Sequence, residues 1–285
     1  MRTARWWVPP LLGAAMALLG WGRTPVLDED AAAAGRDGGA PASAHWPDDA
    51  NTGVPAGTAL KPHGPLVVTA AGSIIADLDI QGSVVIKAAD VVLKSSRIRS
   101  ASYDVVRIMP GLSGVIIQDC EIDGVGTGND GSSGIRGAGS FLRNNIHDVE
   151  NGITLDGSAA IKDNYIHDLR ASGAPHYDGI QIDGDVSDVV ISHNTVINSY
   201  GQTSAVMIDN YFGPIANIQV DNNRLVGGGY TVYSDGQFRQ DPISGVAFVD
   251  NRLGKGHLGY SSFVRNQPDW RGNVDDATGR PLGSQ

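Results

Sequence analysis

The chain has very little cysteine: Cys120 is the single one in 285 residues. One thiol cannot form an intramolecular disulfide or supply a cysteine-based metal or redox centre. A folded domain of about 220 residues can bury enough apolar surface to be stable without a disulfide, even in an exported protein. We therefore expect Cys120 to be a packing residue.

Basic residues are also scarce. The chain has 21 Lys and Arg against 31 Asp and Glu, which gives a net charge of −10, and it contains no long basic run. Nucleic acids and anionic membranes are bound by clustered Lys and Arg, so neither is expected as the main partner. An acidic polysaccharide remains compatible with this charge, because a few local arginines or a bridging cation could accept it.

Long apolar runs are absent after the N-terminus. The run from Trp6 to Trp21 follows two arginines, contains two prolines and precedes the small-residue cluster Ala31–Ala34. It is too short for a membrane span, which needs about 20 apolar residues, and is typical of an export signal. The sequence thus predicts a signal peptide over residues 1–34 and a secreted protein.

Residues 35–57 are rich in Gly, Ala, Pro and Asp and have no apolar period. This composition predicts a flexible leader. We expect the folded domain to cover residues 58–266, residues 267–285 to form a C-terminal tail, and the protein to be a monomer without membrane contact after signal removal.

No amphipathic run of helical length follows; short β-branched runs recur instead. A polar residue stands at intervals of 20 to 30 residues, three places after an apolar one, at Ser96, Cys120, Asn144, Asn164, Asn194, Asn223 and Asn251. A second aligned series is Val106, Ile135, Ile153, Ile180, Val206 and Val232. Strands with inward aliphatic residues, repeated at this period, predict a stacked solenoid with the asparagines in one column at a bend.

The asparagine column, the "NTGVPAGTAL" lead-in at residues 51–60 and the strand "DGIQIDG" resemble the secreted bacterial right-handed parallel β-helix proteins of the pectate-lyase-like group. The resemblance implies an all-β fold, a single-stranded right-handed parallel β-helix of about eight turns. It also implies an activity on polysaccharides, although that group includes lyases, hydrolases, epimerases and non-enzymatic proteins.

Stacking the second series predicts columns of outward residues. The position after each inward residue holds Arg107, Arg136, Thr154, Gln181, Met207 and Tyr233, and two places further on stand Asp156, Asp183, Asp209 and Asp235. The position before each inward residue is small at Gly134, Gly152, Gly179 and Ala205, which predicts an outward floor without side chains. Together these columns indicate a groove.

The aspartates could be turn formers or cation ligands. Carboxylates stacked about 4.8 Å apart repel one another, which favours a bound cation or a shared proton. Calcium suits oxygen ligands, and Asp183 with Asp209 is the expected pair.

The stretch "PHYDGIQIDGD" adds His176 to a Tyr-Asp pair that also occurs at Tyr103. Its loop makes the longest step of the repeat, and extra residues in a solenoid often lie on the binding face. We expect Asp178 to orient His176 as a general base, with Tyr177 and Tyr233 as alternative bases. Gln181 and Arg136 would face the substrate, and Arg107, Asp156, Tyr200, Tyr211 and Tyr230 would bind sugar.

Three functions are compatible with this groove. A lyase that cleaves a uronic-acid polymer by β-elimination is the first expectation. A glycoside hydrolase or epimerase is the second, because neighbouring aspartates come close to the carboxyl spacing of retaining hydrolases. A non-catalytic glycan-binding or surface protein is the third. The polygalacturonase pattern is mostly missing, with only Asp178 in place, and the Trp-Asp-His motif of pectate lyases is absent.

Overall fold

The computed structural model describes residues 45–126 and 131–283, and every regular element in them is a β-strand. The predicted signal peptide and the first part of the predicted leader lie outside the described residues. None of the described segments is a helix long and apolar enough to cross a membrane.

The strands, in chain order, are β1 (Lys61–His63), β2 (Leu66–Val68), β3 (Ile74–Ala76), β4 (Leu78–Gln81), β5 (Val84–Ile86), β6 (Val92–Lys94), β7 (Arg97–Arg99), β8 (Asp104–Ile108), β9 (Ile116–Gln118), β10 (Glu121–Asp123), β11 (Ser133–Leu142), β12 (Asn145–His147), β13 (Asn151–Lys162), β14 (Tyr165–Ile166), β15 (Asp178–Ile182), β16 (Val186–Ser192), β17 (Thr195–Asn198), β18 (Ser204–Ile208), β19 (Ile215–Asp221), β20 (Arg224–Gly227), β21 (Tyr230–Asp235), β22 (Ile243–Val249), β23 (Arg252–Gly254), β24 (Gly259–Val264), β25 (Asp269–Arg271) and β26 (Val274–Asp275).

These strands stack in parallel on three faces, so the expected parallel β-helix is confirmed. Face 1 is the sheet β1-β4-β7-β10-β12-β14-β17-β20-β23-β26, which is more strands than the eight or so turns expected. Face 2 is the path β2-β5-β8-β11-β13-β15-β18-β21-β24. Face 3 follows β3, β6 and β9, shares the second halves of β11 and β13, and continues through β16, β19, β22 and β25. Each turn runs from face 2 to face 3 and then to face 1.

The interior consists of stacked aliphatic columns. The second predicted series is in register across face 2, from Val106 through Ile135, Ile153, Ile180 and Val206 to Val232, and all six side chains are fully buried. Residues two apart along a strand point to the same side, so a second buried column, which includes Ile108, Ile182 and Ile208, runs beside the first on face 2. The prediction of an inward aliphatic column is confirmed.

The predicted asparagine column is a continuous hydrogen-bonded ladder at the bend between face 3 and face 1. The side-chain amide of Asn164 donates to Oδ1 of Asn194 at 2.9 Å, and Asn194 donates to Asn223 at 2.9 Å. Each Oδ1 also accepts the backbone N–H of the preceding ladder residue. Cys120 takes one place in this ladder, fully buried, and desolvation raises the pKa of its thiol to about 12. The buried bend thus has its polar groups satisfied.

Positive φ angles in this bend occur one residue before the ladder. Asp163, His193 and Asp250 have φ of 59°, 53° and 53°, each directly before a ladder asparagine. The asparagine is therefore selected for its hydrogen bonds rather than for a left-handed backbone. Asp, Asn and His, which tolerate this region better than most residues, supply the left-handed position at most turns, and Ser95 and Arg143 supply it at two others.

Both ends of the described chain belong to the folded structure, although the sequence predicts a flexible leader and a tail there. Residues 45–57, assigned by sequence to the flexible leader, lie against face 1, where Trp46 stacks on His193 with ring centroids 5.2 Å apart. Asn273, in the predicted tail, extends the ladder by accepting from Asn251 at 3.0 Å. The solenoid therefore continues through β25 and β26.

Candidate functional site

A cleft of about 600 Å³ lies on face 2, and we refer to it as the cleft. It is lined by Gly131, Glu150, Asn151, His176, Asp178, Gln181, Asp183, Thr203, Met207, Asp209, Tyr211 and Phe238. A smaller cavity of about 230 Å³, lined by Arg136, Thr154, Asp156 and Phe212 among others, shares Asp183 with it. The two together form a groove that crosses several turns.

The outward column on face 2 has the predicted register. Arg107, Arg136, Thr154, Gln181 and Met207 pair in succession across β8, β11, β13, β15 and β18. Hydrogen bonds run along it, from the hydroxyl of Ser133 to Thr154 at 2.8 Å and from Thr154 to Oε1 of Gln181 at 3.1 Å. Consecutive turns are thereby linked by polar side chains on the outside of the solenoid.

Both arginines of this column are already paired with carboxylates. Arg107 lies 2.6 Å from Asp156, and Nε of Arg136 donates to Asp104 at 2.8 Å. Arg136 also donates to the carbonyl of Gly131 and lies over the ring of Tyr103. A uronate carboxylate would have to compete with these partners, so the arginines are less suited to its recognition than the sequence indicates.

The prediction of an outward floor of small residues is wrong. A Cβ at Gly134 would lie 2.6 Å from Ile146, at Gly152 2.4 Å from Ile166, and at Gly179 2.1 Å from Val196. These neighbours are buried residues of face 1, so the glycines point into the interior. They are small because face 1 and face 2 meet closely at this corner.

Asp178 is a buried carboxyl at the back of the cleft. It is 2% exposed, and its Oδ1 accepts from the backbone N–H of Ser204 at 3.1 Å and from the hydroxyl of Ser204 at 2.9 Å. Desolvation raises its pKa well above the usual range, despite the bonds from Ser204. This oxygen is therefore engaged by Ser204, and the orientation of His176 by Asp178 stays a prediction.

Asp183 and Asp209 follow the neighbouring strands β15 and β18 and both line the cleft. Burial raises the pKa of Asp183 to about 6, and the positive charge of Arg136 opposes the shift. Burial and the charge of Asp183 raise the pKa of Asp209 to about 7. Oδ1 of Asp183 is buried and has no hydrogen-bond partner among the described residues. The pKa values of the two carboxyls are thus both raised toward neutrality.

His176 lines the cleft with an exposed side chain, as its position in the loop predicts. Its backbone N–H donates to Oε1 of Glu150 at 2.9 Å, and Oε2 of Glu150 accepts from the N–H of Gly131. Glu150 is 2% exposed and was missed by the sequence analysis, since no repeat position marks it. It joins two loops at the rim of the cleft.

The predicted tyrosines separate into three locations. Tyr177 is buried, and its ring stacks on that of Tyr200 with the ring centroids 3.6 Å apart. Tyr200 and Arg170 are among the residues that line a second cavity. The hydrogen bond with Tyr177 raises the pKa of Tyr200 to about 12. Tyr230 packs edge-on against Tyr233, and burial raises the pKa of Tyr233. Of the five, Tyr211 lines the cleft.

Two phenylalanines complete the rim beside Tyr211. Phe212 and Phe238 lie with ring centroids 4.9 and 5.6 Å from that of Tyr211, both edge-on. The side chains of Tyr211, Phe212 and Phe238, which we call the aromatic platform, are 53%, 63% and 48% exposed. The sequence analysis missed both phenylalanines, although they follow two aspartates of the outward column by three residues each.

Calcium at Asp183 and Asp209 stays a prediction. Among the described residues, the group of three metal-type ligands within 4.8 Å of one another lies elsewhere, at Asp123, His147 and Asp148. Their carboxylates contact Arg99 at 3.1 Å and Arg170 at 2.7 Å, which already balance their charge.

Comparison with models of known protein families and with solved structures finds no match for this chain.

Proposed function

We propose that the protein is a glycoside hydrolase that binds a polysaccharide along face 2 and cleaves it with Asp183 and Asp209. One observation carries this proposal: two carboxyls on neighbouring strands share one cleft, and burial raises their pKa values to about 6 and about 7. In glycoside hydrolysis a carboxyl with a raised pKa acts as the acid, and a second, ionised carboxyl acts as the nucleophile or base.

The surroundings of the two carboxyls assign the roles. The charge of Arg136 favours the ionised form of Asp183, whereas burial and the charge of Asp183 favour the protonated form of Asp209. Asp209 gives its proton to the glycosidic oxygen as the glycosidic C–O bond breaks, and the Asp183 carboxylate bonds to the anomeric carbon. Asp209, now ionised, takes a proton from water, and the water oxygen displaces Asp183. Neighbouring strands lie about 4.8 Å apart, which is closer to the roughly 5 to 5.5 Å of retaining hydrolases than to the wider inverting spacing.

Asp178, at the back of the cleft, affects the charge and the position of this pair. Burial raises its pKa well above the usual range, which favours the protonated form and so limits the negative charge at the back of the cleft. If it ionised, its charge would raise the pKa of Asp183 and weaken the nucleophile. Its hydrogen bonds from Ser204 also hold the ends of β15 and β18 in register.

Three observations favour hydrolysis over β-elimination. Both arginines expected to bind a uronate are paired with Asp156 and Asp104. The alternative bases Tyr177 and Tyr233 lie outside the lining of the cleft. The pKa values of Asp183 and Asp209 are raised toward neutrality in the cleft, which His176, the first predicted base of a lyase, also lines. The uronate lyase and the non-catalytic binding protein remain the competing predictions.

Product analysis on a panel of neutral and uronate polysaccharides tests the proposal. We expect new reducing ends without the absorbance of unsaturated uronates. Asp183→Asn and Asp209→Asn should each lower kcat by at least about a hundredfold, the usual contribution of an acid or base. Asp188→Asn, on exposed face 3, is the matched control and should leave kcat unchanged.

Unsaturated products would instead support the lyase. Glycan binding without any new reducing ends would support the non-catalytic alternative. Full activity in both cleft variants would remove Asp183 and Asp209 from the mechanism.

A further inference from the structure

The aromatic platform is built onto the same backbone as the acid pair. The N–H of Tyr211 donates to Oδ1 of Asp209 at 2.9 Å, and the N–H of Phe212 donates to the carbonyl of Asp183 at 2.7 Å. Any group bound on the platform is therefore held at a set position relative to both carboxyls.

A buried asparagine joins the two loops that carry the platform. Asn210 is fully buried, its Oδ1 accepts from the N–H of Phe238 at 3.2 Å, and its amide donates to the carbonyl of Asp241 at 2.7 Å. Nε of Arg239 donates to the carbonyl of Tyr211 at 2.7 Å. The loops are thus tied together, yet the three rings remain about half exposed or more. Three adjacent exposed aromatic rings at the edge of a cleft are typical of a binding surface rather than of packing.

Most charged side chains in the groove are paired internally, whereas Arg239 beside the platform and Asp185 in the smaller cavity are exposed and form no ion pair with the described residues. Arg107 pairs with Asp156, Arg136 pairs with Asp104, and Glu150 accepts two backbone N–H groups. The residues that line the cleft include Glu150, Asp178, Asp183 and Asp209 but no Lys or Arg, which disfavours a ligand carboxylate there. Burial raises the pKa values of Asp183 and Asp209, which reduces the negative charge available to a ligand amine.

We infer that the aromatic platform and the cleft together bind a polymer of uncharged pyranose sugars, with a sugar ring stacked on Tyr211, Phe212 and Phe238. Sugar rings present apolar C–H faces that pack on aromatic rings, while the amide and hydroxyl groups of Gln181 and Thr203 suit sugar hydroxyls. The inference rests on the proposed function for its choice of face 2 as the glycan-binding surface. It replaces the acidic polysaccharide that the sequence analysis expects.

Calorimetric titration of the full-length Asp209→Asn variant tests the inference without interference from cleavage. An asparagine at this position can still accept the N–H of Tyr211. The probes are hexasaccharides of glucose and mannose, of galacturonate and of glucosamine. We expect an uncharged hexasaccharide to bind at least about tenfold more tightly than either charged one. Tighter binding of a charged hexasaccharide, or no binding of any, would overturn the inference.

The platform is tested by Phe212→Ala and Phe238→Ala in the same background. Each should weaken binding of the uncharged hexasaccharide by about five- to tenfold, the scale of one aromatic stacking contact. Val190→Ala, an exposed apolar residue on face 3, is the control and should bind as the parent does. Unchanged affinity in both phenylalanine variants would contradict the platform.

These experiments distinguish a failure of the binding inference from a failure of the hydrolase proposal. If the uncharged chain binds through the platform but the wild-type protein releases no reducing ends from its polymer, the hydrolase proposal fails and the binding site stands. If the wild-type protein cleaves a glycan but the phenylalanine variants bind it normally, the hydrolase proposal stands and the platform fails.

Discussion

At Asp209, burial and a neighbouring negative charge raise the pKa of the carboxyl, which suits its proposed role as the acid. Its side chain is nearly enclosed, at 9% exposure, and it lies beside a second carboxyl, Asp183. Placing an ionisable group there is unfavourable for the charged form, because water is removed and a like charge is near. Such a position stabilises the protonated acid that the proposed mechanism needs, and it makes the folded state sensitive to pH.

The contribution of Asp209 to the stability of the protein should therefore fall as the pH rises from about 4, the pKa of an unfolded aspartate, to the pKa of about 7 in the fold. In that interval the folded state binds more protons than the unfolded state, so the free energy of unfolding decreases with pH. Asp209→Asn should remove this loss and be more stable than the wild type at pH 8 by on the order of 2 kcal/mol, with little difference at pH 4. Denaturant unfolding at both pH values measures the difference, and parallel pH profiles for the two proteins would refute the shift.

At the scale of elements, the ladder explains how strands as short as two or three residues form a stable structure. Asn194 donates to Asn223, Ile161 and Ser192, and its oxygen accepts from the backbone and side chain of Asn164. A single side chain thus links three turns at a buried bend. Short strands alone would leave these bend groups without partners, which is costly in the interior.

Asn194→Ala should destabilise the protein by roughly 2 to 4 kcal/mol, since it leaves several buried donors and acceptors unpaired. Gln219→Ala, an outward residue of β19 on face 3, is the matched control and should change stability by less than about 0.5 kcal/mol. Chemical denaturation of the two variants gives the comparison. Equal stabilities would mean that water replaces the ladder bonds.

At the scale of the whole molecule, the segment 45–57 connects turns that do not otherwise touch. In most solenoids each repeat contacts only its neighbours. Here Asp49 accepts from Asn145 at 2.9 Å, the N–H of Gly53 donates to the carbonyl of Arg143, and Trp46 stacks on His193 two turns away. The segment therefore ties several strands of face 1 together.

Trp46→Ala should lower the free energy of unfolding by about 1 to 2 kcal/mol, through loss of the stacked, partly buried ring. Ile74→Ala, at an exposed position 66% accessible on the first turns, is the control and should have almost no effect. Thermal unfolding measures both. A wild-type melting temperature in the Trp46 variant would show that the segment adds nothing to stability.

Sequence alone determined the parallel β-helix, the aliphatic columns and the asparagine ladder. Each of these features is a short local pattern that recurs once per turn, so it can be recognised without knowing any long-range contact. It also identified the outward column that carries Gln181, Asp183 and Asp209. Only the tertiary structure decided which of these residues share a cleft, since loops of unequal length bring Glu150, Phe212 and Phe238 to its rim. The structure also showed that Gly134, Gly152 and Gly179 point into the interior and not outward as predicted. The side to which they point is set by how closely face 1 and face 2 approach each other. The pairing of both arginines with aspartates on other turns was likewise decided by contacts between residues far apart in sequence.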